Sequence, residues 1–193
     1  MSGSMNLIGV DRAFADFLNA IASPALKEIA QHWRDICRPD RLPGWKDIRP
    51  SAIRKHLPIV WCYDYDAQQD DFIGRLAGIG ITGVSSKPFK GTRLSELRPK
   101  DVYPRSLMRA KRVVEEPAFY CGRGVVYKTA EQWGYGERIV MPLRADGNDP
   151  AGIFGASEYK SRLEWFRLST DPNAEEEAWF SLAEHSIGAA TPP

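Results

Sequence analysis

At 193 residues, with 43% hydrophobic and 26% charged residues, the chain can bury one substantial core, and its composition excludes a wholly disordered polymer. Its 26 Lys and Arg nearly cancel its 25 Asp and Glu, so a net charge of +1 supplies no global field to gather nucleic acid or an anionic membrane. Cys37, Cys62 and Cys121 are far apart with no CxxC, which argues against a disulfide framework or zinc knuckle and suits a reducing, cytoplasmic compartment.

The opening residues lack the basic region and apolar stretch of a secretory signal, and no apolar run is long enough to span a bilayer. Gly3 and Ser4 between two methionines read as a cloning scar, and 1–10 is set apart as tag remnant or disordered. Phe14, Phe17, Leu18 and Ile21 recur at one-face helical spacing. Ser23 is an N-cap candidate with Pro24 at the first helical position, opening a second stripe of Leu26, Ile29, Ala30, Trp33 and Cys37. Arg38-Pro39 ends it, because a residue before proline avoids the α region. A short helix is expected over 50–57, closed by Pro58.

Strands follow. Residues 59–65 are rich in β-branched and aromatic side chains, 66–71 is a polar turn, and 72–81 completes a hairpin. The region 82–99 reads as irregular with a helical turn at 94–97, and a helix is expected over 101–115, stopped by Pro117. Three more strands are expected over 118–127, 137–145 and 151–159, with a turn at Asp146-Gly147-Asn148-Asp149-Pro150. Asp171-Pro172, three glutamates, and Trp179, Leu182 and Ala183 then predict a C-terminal helix ending at Gly188. Strands joined by short turns favour antiparallel pairing over parallel crossovers.

Gly78-Ile79-Gly80-Ile81-Thr82-Gly83 satisfies G-x-G-x-x-G, but Pro88 and Gly91 cut off the long helix a dinucleotide site requires. It reads instead as a strand end that permits close backbone approach. His32, His56 and His185 lie in the helical flanks, without a metalloprotease or nucleophile-elbow motif, so no catalytic residue is assigned. Asp64, Asp66, Asp70 and Asp71 lack calcium-loop spacing and read as a solvated hairpin loop, leaving no metal site expected. Arg105, Arg109 and Arg112 share a helix face, read as a solvated face in preference to an anion- or partner-binding stripe. Arg75 is a charge inside an apolar strand, which either meets water or pairs within a pocket.

The order of elements resembles the PAS fold, a five-stranded antiparallel sheet with a cupped face under short helices. Seven stretches in order carry a sharper likeness to a proteobacterial PAS-domain family of often stand-alone members: Trp33-Arg34, Leu42-Pro43, Asp47-Ile48-Arg49-Pro50, Leu57-Pro58, Gly74-Arg75-Leu76-Ala77-Gly78, Gly91-Thr92-Arg93-Leu94 and Met141-Pro142-Leu143. Ile79 departs from the pattern, which has a small polar residue after the glycine.

The expectation is therefore an α+β, PAS-like five-stranded antiparallel sheet. An N-terminal helical extension (11–57) precedes the core (58–160), and a C-terminal helix and tail (161–193) follow it. The resemblance implies a non-catalytic sensory or regulatory role, a pocket whose ligand varies, and homodimerisation through N-terminal helices. It also implies output through a downstream protein, since no effector segment is attached. No haem or flavin is expected: the family's haem proteins use a covering-helix histidine, absent between Leu57 and Glu184, and Cys62 and Cys121 fall on predicted strands. Arg75, Tyr103, Tyr120 and Met141, then Trp61, are the expected lining of the cup, with Arg75 as polar anchor for an unidentified carboxylate or phosphate. The alternative is an interaction or dimerisation module with no ligand.

Overall fold

Ser23 Oγ accepts from Leu26 N at 3.2 Å, and Pro24 takes the first position of a new helix. The computed structural model, which describes residues 7–38, 40–83, 87–128, 133–147, 149, 151–160 and 175–182, accordingly has two N-terminal helices, α1 (Leu7–Ala20) and α2 (Pro24–Asp35). Residues 7–10, grouped above with the tag remnant, belong to α1. A 3-10 helix, Pro50–Ile59, stands where a short helix was expected.

The sheet comprises β1 (Val60–Asp66), β2 (Asp71–Ala77), β3 (Ala118–Lys128), β4 (Trp133–Leu143), β5 (Gly152–Lys160) and β6 (Glu176–Ser181). Their spatial order is β2-β1-β5-β4-β3-β6, and every pairing is antiparallel. The hairpin stops short of its expected end. A Cβ at Gly78 would lie 2.0 Å from the Leu57 carbonyl oxygen, and the chain turns there into α3 (Ile79–Thr82). The glycine run is thus a close backbone approach beside a single helical turn. Helices α4 (Leu94–Leu97) and α5 (Tyr103–Glu115) follow.

The sheet has six strands where five were expected, and the sixth replaces part of the expected C-terminal helix. Trp179, Leu182 and Ala183 have helical spacing, but the edge of β3 offers unpaired backbone groups that residues 176–181 take up. Period-2 alternation then sends Ala178 and Phe180 to one core, and Glu177 and Trp179 to the other face. The rest of that expected helix, save Glu175 and Leu182, lies outside the described residues.

Each face of the sheet is covered. On one, α1 and α2 bury Phe14, Phe17, Ile29 and Trp33 against Phe119, Ile139, Met141 and Phe154. Trp33 is wholly buried and its indole N–H donates to Pro142 O at 2.9 Å. On the other, α4 and α5 pack Leu94, Ala110 and Val113 against Trp61, Tyr63, Phe72, Tyr120, Val140 and Ile153. No helix among the described residues is long and apolar enough to cross a membrane.

Candidate functional site

Alternation along four central strands decides what faces α4 and α5: Trp61 and Tyr63, Tyr120, Arg138 and Val140, Ile153 and Ser157. Two of the rings lie flat because glycines leave room beneath them. Gly155 is the cross-strand partner of Trp61, and a Cβ there would come within 2.3 Å of the indole. A Cβ at Gly122 would meet the Tyr120 hydroxyl at the same distance. Between these rings and the helices lies a cavity of about 40 Å³. Apolar walls come from Leu94, Ala110, Val140 and Ile153, and polar groups from Arg98, Ser106, Arg109 and Arg138.

One fully buried hydroxyl orders the floor. Ser157 Oγ accepts from Trp61 Nε1 at 3.0 Å and from Arg138 Nε at 3.2 Å, and the Arg138 guanidinium lies 5.8 Å from the Trp61 ring centroid. Burial, reinforced by the charge of nearby Arg98, pushes Arg138 down to about 10. Its remaining surface borders the cavity. Among the described residues no carboxylate pairs with Arg138 or with Arg98. Arg98 stands within hydrogen-bonding reach of the Tyr63 hydroxyl, whose pKa burial raises. The Nε groups of Arg98 and Arg109 are buried without a partner.

Arg109 differs from these two. It pairs with Glu177 of β6 and stands 5.5 Å from the Tyr120 ring centroid. Arg105 pairs with Glu175 and Glu177, and Arg112 stacks 4.3 Å from the Trp179 centroid. The basic face of α5, expected to be solvated, thus clamps the helix to β6. The aspartates of the hairpin also find separate partners: Asp66 with Arg93, Asp70 with Lys111, and Asp71 with Ser95. Among the described residues no group of three or more His, Cys, Asp or Glu could hold a metal ion.

Of the expected lining residues, Trp61 and Tyr120 border the cavity and three do not. Met141 is one residue out of phase with Val140, so it points to α1 and α2 and is fully buried there. Arg75 lies on that same face. It pairs with Asp64 at 3.1 Å and Asp149 at 3.0 Å, beneath the Trp45 ring at 4.3 Å, so it is a neutralised structural cation rather than an anchor. Tyr103, at the start of α5, packs at the margin of the cup with its hydroxyl by Asp71. Cys62 and Cys121 are on β1 and β3, as expected, and turn away from the cavity into the other core, where burial pushes both thiols up.

Arg98 and Arg138 have no place among the sequence-based expectations, and Arg109 enters them only as part of a helix face read as solvated. A signal for Arg138 existed: it is a charge within Ile139-Val140-Met141 and its approach, on the parity of Val140 and hence of the cup. As assembled, the site is a set of donors, three guanidinium groups of which only that of Arg109 has a carboxylate partner among the described residues, and several hydroxyls, around a small apolar space. It can neutralise and orient an acceptor. A family model described as PAS domain matches residues 21–157. No curated protein and no solved structure matches the chain.

Proposed function

The chain belongs to the PAS domain family, generally sensory and regulatory modules, and from that premise we propose that it takes a small molecule into the cavity beneath α4 and α5. Occupancy is passed on by association with another protein, or with a second copy of the chain, rather than by catalysis.

One observation carries this reading: a cavity with apolar walls is bordered by Arg98 and Arg138, which have no carboxylate partner among the described residues, and the Nε of Arg98 is buried without any partner. A face meant only for packing gains nothing from such groups, because a buried polar atom without a partner costs about 1–3 kcal/mol. A second reading, an interaction module with no ligand, draws on the cavity's small size. The patch that would serve it best is not free, since Phe14 and Phe17 are buried in the core.

Native mass spectrometry of the purified full chain, with its absorbance spectrum, separates the two. A bound small molecule, released when the cavity is disrupted by Val140→Trp, supports the sensor. A ligand-free chain that also gains no mass from a metabolite extract, while forming a stable dimer, establishes the second reading.

A further inference from the structure

The cavity's charge has a sign and its walls have a character, and together they narrow the ligand class. Four arginines stand on or beside it, but Arg105 and Arg109 are matched by Glu175 and Glu177. Arg98 and Arg138 are left with hydroxyl partners alone among the described residues, Tyr63 for one and Ser157 for the other. Two half-buried cations held near one another are unfavourable until an anion joins them. Arginine presents a planar fork of donors that matches a carboxylate in two parallel hydrogen bonds.

The rest of the lining is not built for a group that needs polar contacts on every side. Trp61, Leu94, Val140 and Ile153 present ring and aliphatic surface there. Inorganic phosphate would leave oxygens against these side chains, whereas a carboxylate on a short hydrocarbon chain satisfies both halves. The space of about 40 Å³ compares with the roughly 10–15 Å³ that one water requires, so the hydrocarbon part is short.

We propose that the ligand is a short-chain organic carboxylate, its carboxylate seated against Arg138 and Arg98 and its hydrocarbon end against Trp61, Val140 and Ile153. This rests on the sensor reading above and names the chemistry its site selects.

The test is an NMR titration of the full chain with butyrate, propionate, their neutral amides and inorganic phosphate. The indole N–H of Trp61, identified through Trp61→Phe, is followed. Saturable shifts are expected with the acids, at affinities at least about tenfold above the amides. Arg98→Gln and Arg138→Gln should each weaken the acids by a similar factor and the amides by clearly less, so that the preference for the acids shrinks. Arg98 is at the rim, so its variant keeps the test decisive should Arg138→Gln fail to fold. Amides that bind as well as acids overturn the carboxylate while leaving a ligand cavity, and so does phosphate binding more tightly than every acid. Acids and amides that both leave Trp61 unmoved overturn the carboxylate and count against the sensor reading as well.

Discussion

His32 is buried on α2, and its Nε2 accepts the backbone N–H of Arg49 at 3.2 Å, which leaves the ring proton on Nδ1. Burial lowers its pKa below 6.5, with Arg49 acting in the same direction and Asp35 against it. A proton on Nε2 would remove the acceptor, so the unfolded chain binds that proton more readily. Its contribution to stability is therefore complete above about pH 6.5 and is lost as the pH falls through the lowered folded value. The urea midpoint should drop between pH 7.5 and pH 5.5, and His32→Gln should shrink that drop; an unchanged drop in the variant assigns it to other groups. Gly155 makes a second prediction at this scale. Gly155→Ala forces the Trp61 ring off the sheet and breaks its 3.0 Å bond to Ser157. A loss of about 1–3 kcal/mol is expected, read by denaturant unfolding, together with a displaced Trp61 indole resonance. Residue by residue, the aromatic half of the cavity was legible because strand alternation is local. The cationic half was not, because Arg75 and Arg138 look alike in sequence. Only the partners Asp64 and Asp149, supplied by β1 and the turn after β4, distinguish the neutralised arginine from the available one.

At the scale of elements, the N-terminal helices are fastened to the sheet by one carboxylate. Glu137 on β4 is buried and accepts from Ala22 N at 2.8 Å, Ser23 N at 2.7 Å and Arg123 Nε at 2.9 Å, while Arg123 also donates to Ala20 O. Removing it leaves two amides without an acceptor and takes from Arg123 its buried carboxylate partner. Glu137→Ala should cost about 3–5 kcal/mol and speed hydrogen exchange at Ala22, Ser23 and along α1. Glu137→Gln keeps an acceptor and should cost less; equal costs would mean that the charge matters more than the hydrogen bonds. Nothing in the local pattern of β4 announces this role, since the two amides it holds, at Ala22 and Ser23, are more than a hundred residues away. The sixth strand was hidden for a related reason. Helical spacing and a glutamate-rich start outweighed alternation in the sequence of the C-terminal segment. The same glutamates, set beside Arg105 and Arg109, serve β6 as ion-pair partners instead of helix-dipole charges. The strands of the core were easier to see, because their β-branched and aromatic runs are bounded by turns such as Asp146-Gly147, where Gly147 adopts φ +62°.

Across the whole molecule, the sheet has two cores, and the one opposite the cavity is shared with the N-terminal helices. The family match begins at Ile21, so α2 falls within it and α1 precedes it. Packing draws no such line: Phe17 of α1 stacks on Phe119 of β3 with ring centroids 4.8 Å apart, and Phe180 of β6 lies 5.7 Å from the same ring. Val10, Phe14, Phe17 and Ile21 are all buried. At about 1.5–3 kcal/mol for each large apolar side chain, their removal approaches the roughly 5–15 kcal/mol by which a domain is ordinarily stable. A chain starting at Ala22 would expose Phe119, and would also leave Arg123 without the Ala20 carbonyl. It should unfold without a sharp transition and bind a hydrophobic dye in the absence of denaturant, whereas the full chain unfolds cooperatively and does not. Cooperative unfolding of the shortened chain at an unchanged urea midpoint would instead make α1 a detachable extension. That outcome would free its apolar face for a second copy of the chain. Loss of the transition means that α1 is committed to its own sheet, and any dimer must form through other surface.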